Sequence, residues 1–170
     1  MVDLHDYNNN PYEFLSSEQK QLLPEFSSAK RIASLFEDTT NSSWWLETSE
    51  GAQVLKLCDD QWVNESSFWQ GMQSLFGLKL PHSMADYDHV YSLISSLSPL
   101  TIPRLIQSAS CCANGEFPGF LLAEGLEGHY IISSDVTVVI VRQLAHHIGQ
   151  LHQHQHTHWG TSSYYYQFVD

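Results

Sequence analysis

Between residues 31 and 128 the chain shows short β-prone runs separated by turn residues, interrupted once, after the third run, by two amphipathic stretches. That order constrains the fold more than any other feature. Positions 32–36 and 44–48 read as strands around a polar turn at 37–43, which carries Thr39, Thr40, Asn41 and Ser42. Ser49-Glu50-Gly51 reads as a tight hairpin with Gly51 free to take positive φ, and 52–58 as a third strand. A helix follows with Glu65, Trp69, Met72 and Phe76 on one face, capped by Asn64 or Ser66 and stopped at Gly77; a second spans 84–97. Pro99 and Pro103 force an extended lead into a fourth strand over 104–109, Asn114-Gly115 marks a turn, and 120–124 reads as a fifth strand. Val139, Leu144, Ile148 and Leu151 recur at helical spacing and predict a last helix over 136–152, capped by Asp135. Ahead of this body, 1–15 is expected as a loose arm, with Ser17 capping a short helix over 18–23 that Pro24 ends. Five strands with both helices inserted between the third and fourth do not fit alternating βα units. They predict an α+β fold, an antiparallel sheet with helices on one side.

Composition narrows the function classes. The chain has 170 residues, enough for one core, and its 42% hydrophobic and 12% aromatic content argues against disorder despite a net charge of -12. Seven Lys and Arg against nineteen Asp and Glu leave no basic stripe for a nucleic-acid backbone or an anionic membrane surface, so neither partner is expected. The start is polar and Asn-rich, unlike a signal peptide, and the strongest apolar run, 136–141, is far shorter than a membrane span. Cys58, Cys111 and Cys112 are odd in number and lack zinc-ligand spacing, which predicts reduced thiols in a cytoplasmic protein.

Lys56 is the first chemically informative residue, because it interrupts the apolar run Val54-Leu55-x-Leu57. An ammonium in such a strand needs a carboxylate, a phosphate or a route to solvent. An edge-strand lysine whose head reaches water would satisfy the same pattern.

Several stretches, read in order, carry a resemblance: Asn41-Ser42-Ser43-Trp44 with Gly51-Ala52-Gln53-Val54-Leu55-Lys56, then Ile102-Pro103, then 120–128, then the helix 144–152. Together, over about 30–160, they make the chain similar to the aminoglycoside phosphotransferase and choline-kinase-like group of small-molecule kinases. The resemblance implies a protein-kinase-like N-lobe. It would comprise an arm and short helix at 1–30, a nucleotide-binding lobe and hinge at 31–128, and the beginning of a helical C-lobe at 129–170. It implies that Lys56 contacts the nucleotide phosphates, that the turn with Asn41, Ser42 and Ser43 covers them, and that backbone groups at 124–126, from Glu124 to Leu126, read the adenine edge, with Ala123 behind. The carboxylate paired with the lysine would be Glu65, with Asp86 as the alternative and Asp88 third. The family's His-Gly-Asp catalytic loop, its following Asn and its later metal-binding Asp do not occur before Asp170. No catalytic residue is therefore expected in this chain, which alone would be inactive, and the ligands of the Mg ions that accompany ATP are expected outside it. The implied partners are a nucleotide and a small-molecule hydroxyl acceptor. The alternative is a non-catalytic kinase-like binding or interaction module.

His146, His147, His152, His154, His156 and His158 crowd into one stretch. Imidazoles at that density bind divalent metals, but their spacing suits no compact tetrahedral site, so no metal site is expected there.

Overall fold

The computed structural model describes residues 10–33, 41–128 and 131–153. Its centre is one five-stranded antiparallel sheet built from β1 (Phe26–Ile32), β2 (Asn41–Thr48), β3 (Gly51–Cys58), β4 (Leu105–Ala109) and β5 (Gly119–Glu124). The spatial order is β1-β2-β3-β5-β4, so β3 is central and β5 enters between β3 and β4. The helices are α1 (Ser17–Gln21), α2 (Asp60–Glu65), α3 (Ser67–Phe76), α4 (Tyr87–Leu97) and α5 (Val138–Gln153). The α+β class and antiparallel sheet agree with the expectation, and α2, α3 and α4 do fall between β3 and β4. No helix among the described residues is long and apolar enough to cross a membrane.

Strand alternation divides the core between the two faces of the sheet. Trp44 and Leu46 of β2, Leu55 and Leu57 of β3, and Phe120 and Leu122 of β5 form one buried cluster. The stretch expected as a loose arm covers it: from residue 10 the chain turns through Pro11–Phe14, and Phe14 and Leu15 are buried against Trp44 and its neighbours. Two buried side chains of this size contribute about 1.5–3 kcal/mol each, which offsets part of the conformational entropy lost in ordering the segment. Ser16, not Ser17, caps α1, in a reciprocal box with Gln19, whose amide also reaches Pro118 O at 2.8 Å. Positions 1–9 lie outside the described residues.

The second face carries Cys58 and Leu121, which pack with Val63, Leu80 and Met84 under the segment between β3 and β4. Gly119, on this face, has Met84 and Pro81 where a Cβ would stand, at 2.8–2.9 Å. Helices thus cover one end of this face, and the N-terminal segment covers the other face. The C-terminal α5 rests on α4 and leaves Val138, Val139, Val141, Leu144 and Ile148 exposed.

Three expected boundaries need correction. The first strand runs from Phe26 to Ile32 rather than over 32–36, because Lys30 and Arg31 pair with Trp45 and Trp44; positions 34–36 lie outside the described residues. Asn41, Ser42 and Ser43 belong to β2 rather than to a turn, paired with Cys58, Leu57 and Lys56. Glu65 closes α2 instead of sharing a helix face with Trp69, because Ser66 is extended (φ -84, ψ 118) and separates the two helices. Asp59 caps α2 by accepting from Gln61 N at 2.7 Å, a start that a six-residue helix with mixed polarity conceals.

Candidate functional site

Lys56 is exposed between Leu55 and Leu57, both fully buried. Its cross-strand partners are Ser43 on β2 and Leu121 on β5. It therefore stands on the same face as Val54 and Cys58, the face that the β3–β4 helices share. Where those helices end, the face opens, and the Lys56 side chain makes no hydrogen bond or ion pair with any other described residue.

Across β2 from it, on the same face at the β1–β2 edge, lies an open cleft of about 840 Å³, which Ile32 lines and Lys56 does not. Residues 30–33 of β1 and its exit, with Trp45, form its floor, Glu47 stands at one side, and Leu126 to Gly128, the chain leaving β5, form the other wall. This volume lies within the range of small-molecule sites, about 300–1,000 Å³. The wall is held close to the sheet: Gly125 N–H donates to Ala52 O at 2.9 Å and Glu124 N–H to Arg104 O at 2.9 Å. A Cβ on Gly125 would stand 2.9 Å from the Ala52 carbonyl carbon and oxygen, so only glycine permits this approach. Leu126 N–H, next in line, makes no hydrogen bond among the described residues, and its side chain is exposed. The Trp45 indole N–H donates to Glu47 Oε1 at 2.6 Å, which fixes the ring across the floor.

Charge is distributed unevenly around this region. Lys30, Arg31 and Lys56 are three of the seven basic residues of a chain with net charge -12, and all lie on β1 and β3. Arg31 turns to the opposite face, with its guanidinium 5.9 Å from the Trp44 ring centroid, so Lys30 and Lys56 are the cations on the open face.

The sequence-derived candidates separate into two groups. Ser43 lies opposite Lys56, Asn41 stands two residues along the same strand, and Leu126 lines the cleft. Ser42 is buried on the other face, opposite Leu57, and Glu124 turns its carboxylate toward Arg104 N at 3.4 Å. The carboxylates proposed as partners of the lysine are elsewhere: Glu65 accepts from Gln61 Nε2 at 2.8 Å, Asp86 is the N-cap residue of α4, and Asp88 accepts from His89 N at 2.8 Å. Most of the β1–β2 connection, 34–40, lies outside the described residues, as do His154, His156 and His158. Sequence reading missed Lys30, Trp45 and Glu47. The available signal was parity: residues facing Lys56 across β2 are odd-numbered, and Trp45 and Glu47 follow Ser43 at steps of two.

No protein-family model and no curated protein matches the chain. Among solved structures, a protein of Haemophilus somnus 129PT assigned as a fructosamine-3-kinase aligns with 82% of this chain at 17% identity, with a TM-score of 0.45. The matched region spans 37% of that protein's length.

Proposed function

We propose that this chain is the nucleotide-binding part of an ATP-dependent phosphotransferase acting on a hydroxyl group of a small molecule. The observation that carries the reading is Lys56: an exposed, unpartnered ammonium on the third strand, flanked by two fully buried leucines and facing the open part of the sheet beside the cleft. A fixed cation on that strand is what phosphoryl-transfer lobes of the protein-kinase type use to hold nucleotide phosphates. The strand order, with helices between the third and fourth strands and a glycine-tightened exit from the fifth, agrees with that lobe.

In this reading the adenine ring lies in the cleft over Ile32 and Trp45, its edge meeting the backbone of 124–126, where the Leu126 N–H is available. The phosphates extend toward Lys56, and Ser43 and Asn41 supply hydroxyl and amide groups on the same face. Magnesium would accompany the triphosphate and supply charge neutralisation, and the family's metal-binding and base motifs are not found up to Asp170. Glu65 as the partner of Lys56 requires α2 to move toward the sheet and Glu65 to leave Gln61.

Calorimetric titration of ATP, ADP and adenosine into the chain tests this reading. ATP and ADP should bind more tightly than adenosine, and Lys56→Ala should remove most of that preference, about tenfold for one charge-assisted contact. Equal affinities for ATP and adenosine in the parent chain, or a preference that survives Lys56→Ala, would refute it. A non-catalytic module with the same lobe would bind nucleotide but support no phosphate transfer in any longer form of the protein.

A further inference from the structure

A second cluster lies at the end of the sheet opposite the cleft, where β3 leaves the sheet and β5 enters it. Three residues from distant parts of the chain meet there: Asp60, the first residue of α2; His82, in the connection between α3 and α4; and Cys111, two residues past β4. His82 Nε2 lies 2.9 Å from Asp60 Oδ1, and His82 Nδ1 lies 3.1 Å from Cys111 Sγ. One ligand atom from each residue falls within 4.8 Å of the other two.

The backbone around them is fixed by contacts remote in sequence. Ser110 Oγ donates to His82 O at 2.5 Å and accepts from Ala85 N at 3.1 Å, while Cys111 N donates to Pro81 O at 3.4 Å. Asp60 keeps its second oxygen on Asn64 Nδ2 at 2.9 Å, and the turn at Gly115 closes over the carboxylate, with space for a Cβ only 3.1 Å from Asp60 Oδ2. Cys111 is buried, whereas the His82 side chain is 39% exposed and that of Asp60 21%. The cluster thus combines a sulfur donor on the inside with an imidazole and a carboxylate open to solvent.

We propose that Asp60, His82 and Cys111 form a binding site for a divalent transition-metal ion of the zinc class, with water completing the shell. Thiolate, imidazole and carboxylate are the donors such an ion accepts, at about 2.3, 2.0 and 2.1 Å respectively. Those bond lengths around a tetrahedral ion set sulfur and nitrogen about 3.5 Å apart, a few tenths of an ångström beyond the present contact. One ring nitrogen coordinates, so the exposed imidazole turns away from one of its two present hydrogen-bond partners as the ion enters. The ion replaces the thiol proton, which leaves to solvent, and an imidazole coordinates through a deprotonated ring nitrogen, so binding strengthens with pH. Three protein donors with an open position match the composition of a site that keeps a bound water. The site is independent of the cleft and of the nucleotide reading.

Cobalt titration into the full, reduced chain tests the proposal, because a cobalt–thiolate bond gives a near-ultraviolet charge-transfer band. Cobalt held by any of the histidines at 146–158 would have no sulfur ligand and would give no such band, so the band reports thiolate coordination alone. The expected result is a band that saturates at one equivalent and bleaches when zinc is added. It should be lost in Cys111→Ser, weakened about tenfold or more in affinity in His82→Gln and Asp60→Asn, and kept in Cys112→Ser. His82 is exposed, so its variant remains informative if Cys111→Ser fails to fold. No sulfur band at millimolar cobalt, or a band that persists in Cys111→Ser or is unchanged in His82→Gln, overturns the site.

Discussion

Replacing Gly125 with alanine should be costly although its φ lies outside the left-handed range that favours glycine. The new Cβ would stand 2.9 Å from both the carbonyl carbon and oxygen of Ala52 and 3.1 Å from its Cβ. Backbone atoms cannot rotate out of the way, so the end of β5 must lift off β3 by about half an ångström. Overpacking of this kind costs about 1–3 kcal/mol. The Gly125 N–H bond to Ala52 O, now 2.9 Å, stretches with it and forfeits about 1 kcal/mol, while the loss of glycine's unfolded-state freedom returns about 0.4–1 kcal/mol. The net loss is about 1–4 kcal/mol, which lowers the melting temperature by about 3–10 °C for a domain of this size. Gly128→Ala is the matched control: nothing lies within 4 Å of its added Cβ, so its stability should stay within about 0.5 kcal/mol of the parent. Thermal unfolding followed by circular dichroism, with urea midpoints as a check, reads both variants. If Gly125→Ala melts together with Gly128→Ala, the tight closure of the cleft wall on β3 is wrong.

Further outcomes follow from the core, the caps and the buried phenols. Leu55→Ala should cost about 2–5 kcal/mol in a urea titration because Leu55 is fully buried on the central strand, whereas Lys56→Ala, one residue on, should stay within about 0.5 kcal/mol. Ser16→Ala breaks the reciprocal cap of α1 and should cost about 1 kcal/mol, read as a lower urea midpoint; Ser17→Ala, once expected to be the cap, should leave that midpoint unchanged. Burial pushes the Tyr12 phenol up to about 12, and Tyr87 and Tyr91 are raised for the same reason. Because these folded values lie above the unfolded one, the contribution is complete below about pH 10 and is lost as pH rises toward 12. A stability profile over that range should fall, and Tyr12→Phe should flatten part of the fall.

The order of elements was legible because the strands between residues 44 and 124 each carry a short apolar run and are separated by turn residues such as Gly51 or Asn114-Gly115. The edges were less legible. β1 carries Ser27, Ser28, Lys30 and Arg31, which read as polar chain, and only pairing with β2 makes them a strand. The N-terminal segment looked loose because its anchors, Phe14 and Leu15, sit among polar residues, and their burial depends on a sheet formed much later in the chain. Lys56 was legible as a local anomaly in an apolar run. Trp45 and Glu47 were hidden by the buried Trp44 and Leu46 between which they alternate. The group Asp60, His82 and Cys111 had no local signature at all, since its members lie 22 and 29 residues apart and only the packing of the β3–β4 segment on the sheet unites them. The pairing of Lys56 with a carboxylate was inferred from family likeness, and no local pattern could have located α2 relative to the sheet.

The most direct test of the nucleotide reading is an amide-resolved NMR titration of the isotope-labelled chain with ATP and magnesium. Saturable shifts are expected at the Trp45 indole N–H and at the amides of Ile32, Ser43, Lys56 and Leu126, with the Ser43 and Lys56-strand shifts greatly reduced in Lys56→Ala. Saturable shifts confined to other parts of the chain, or none at these positions, would contradict that reading.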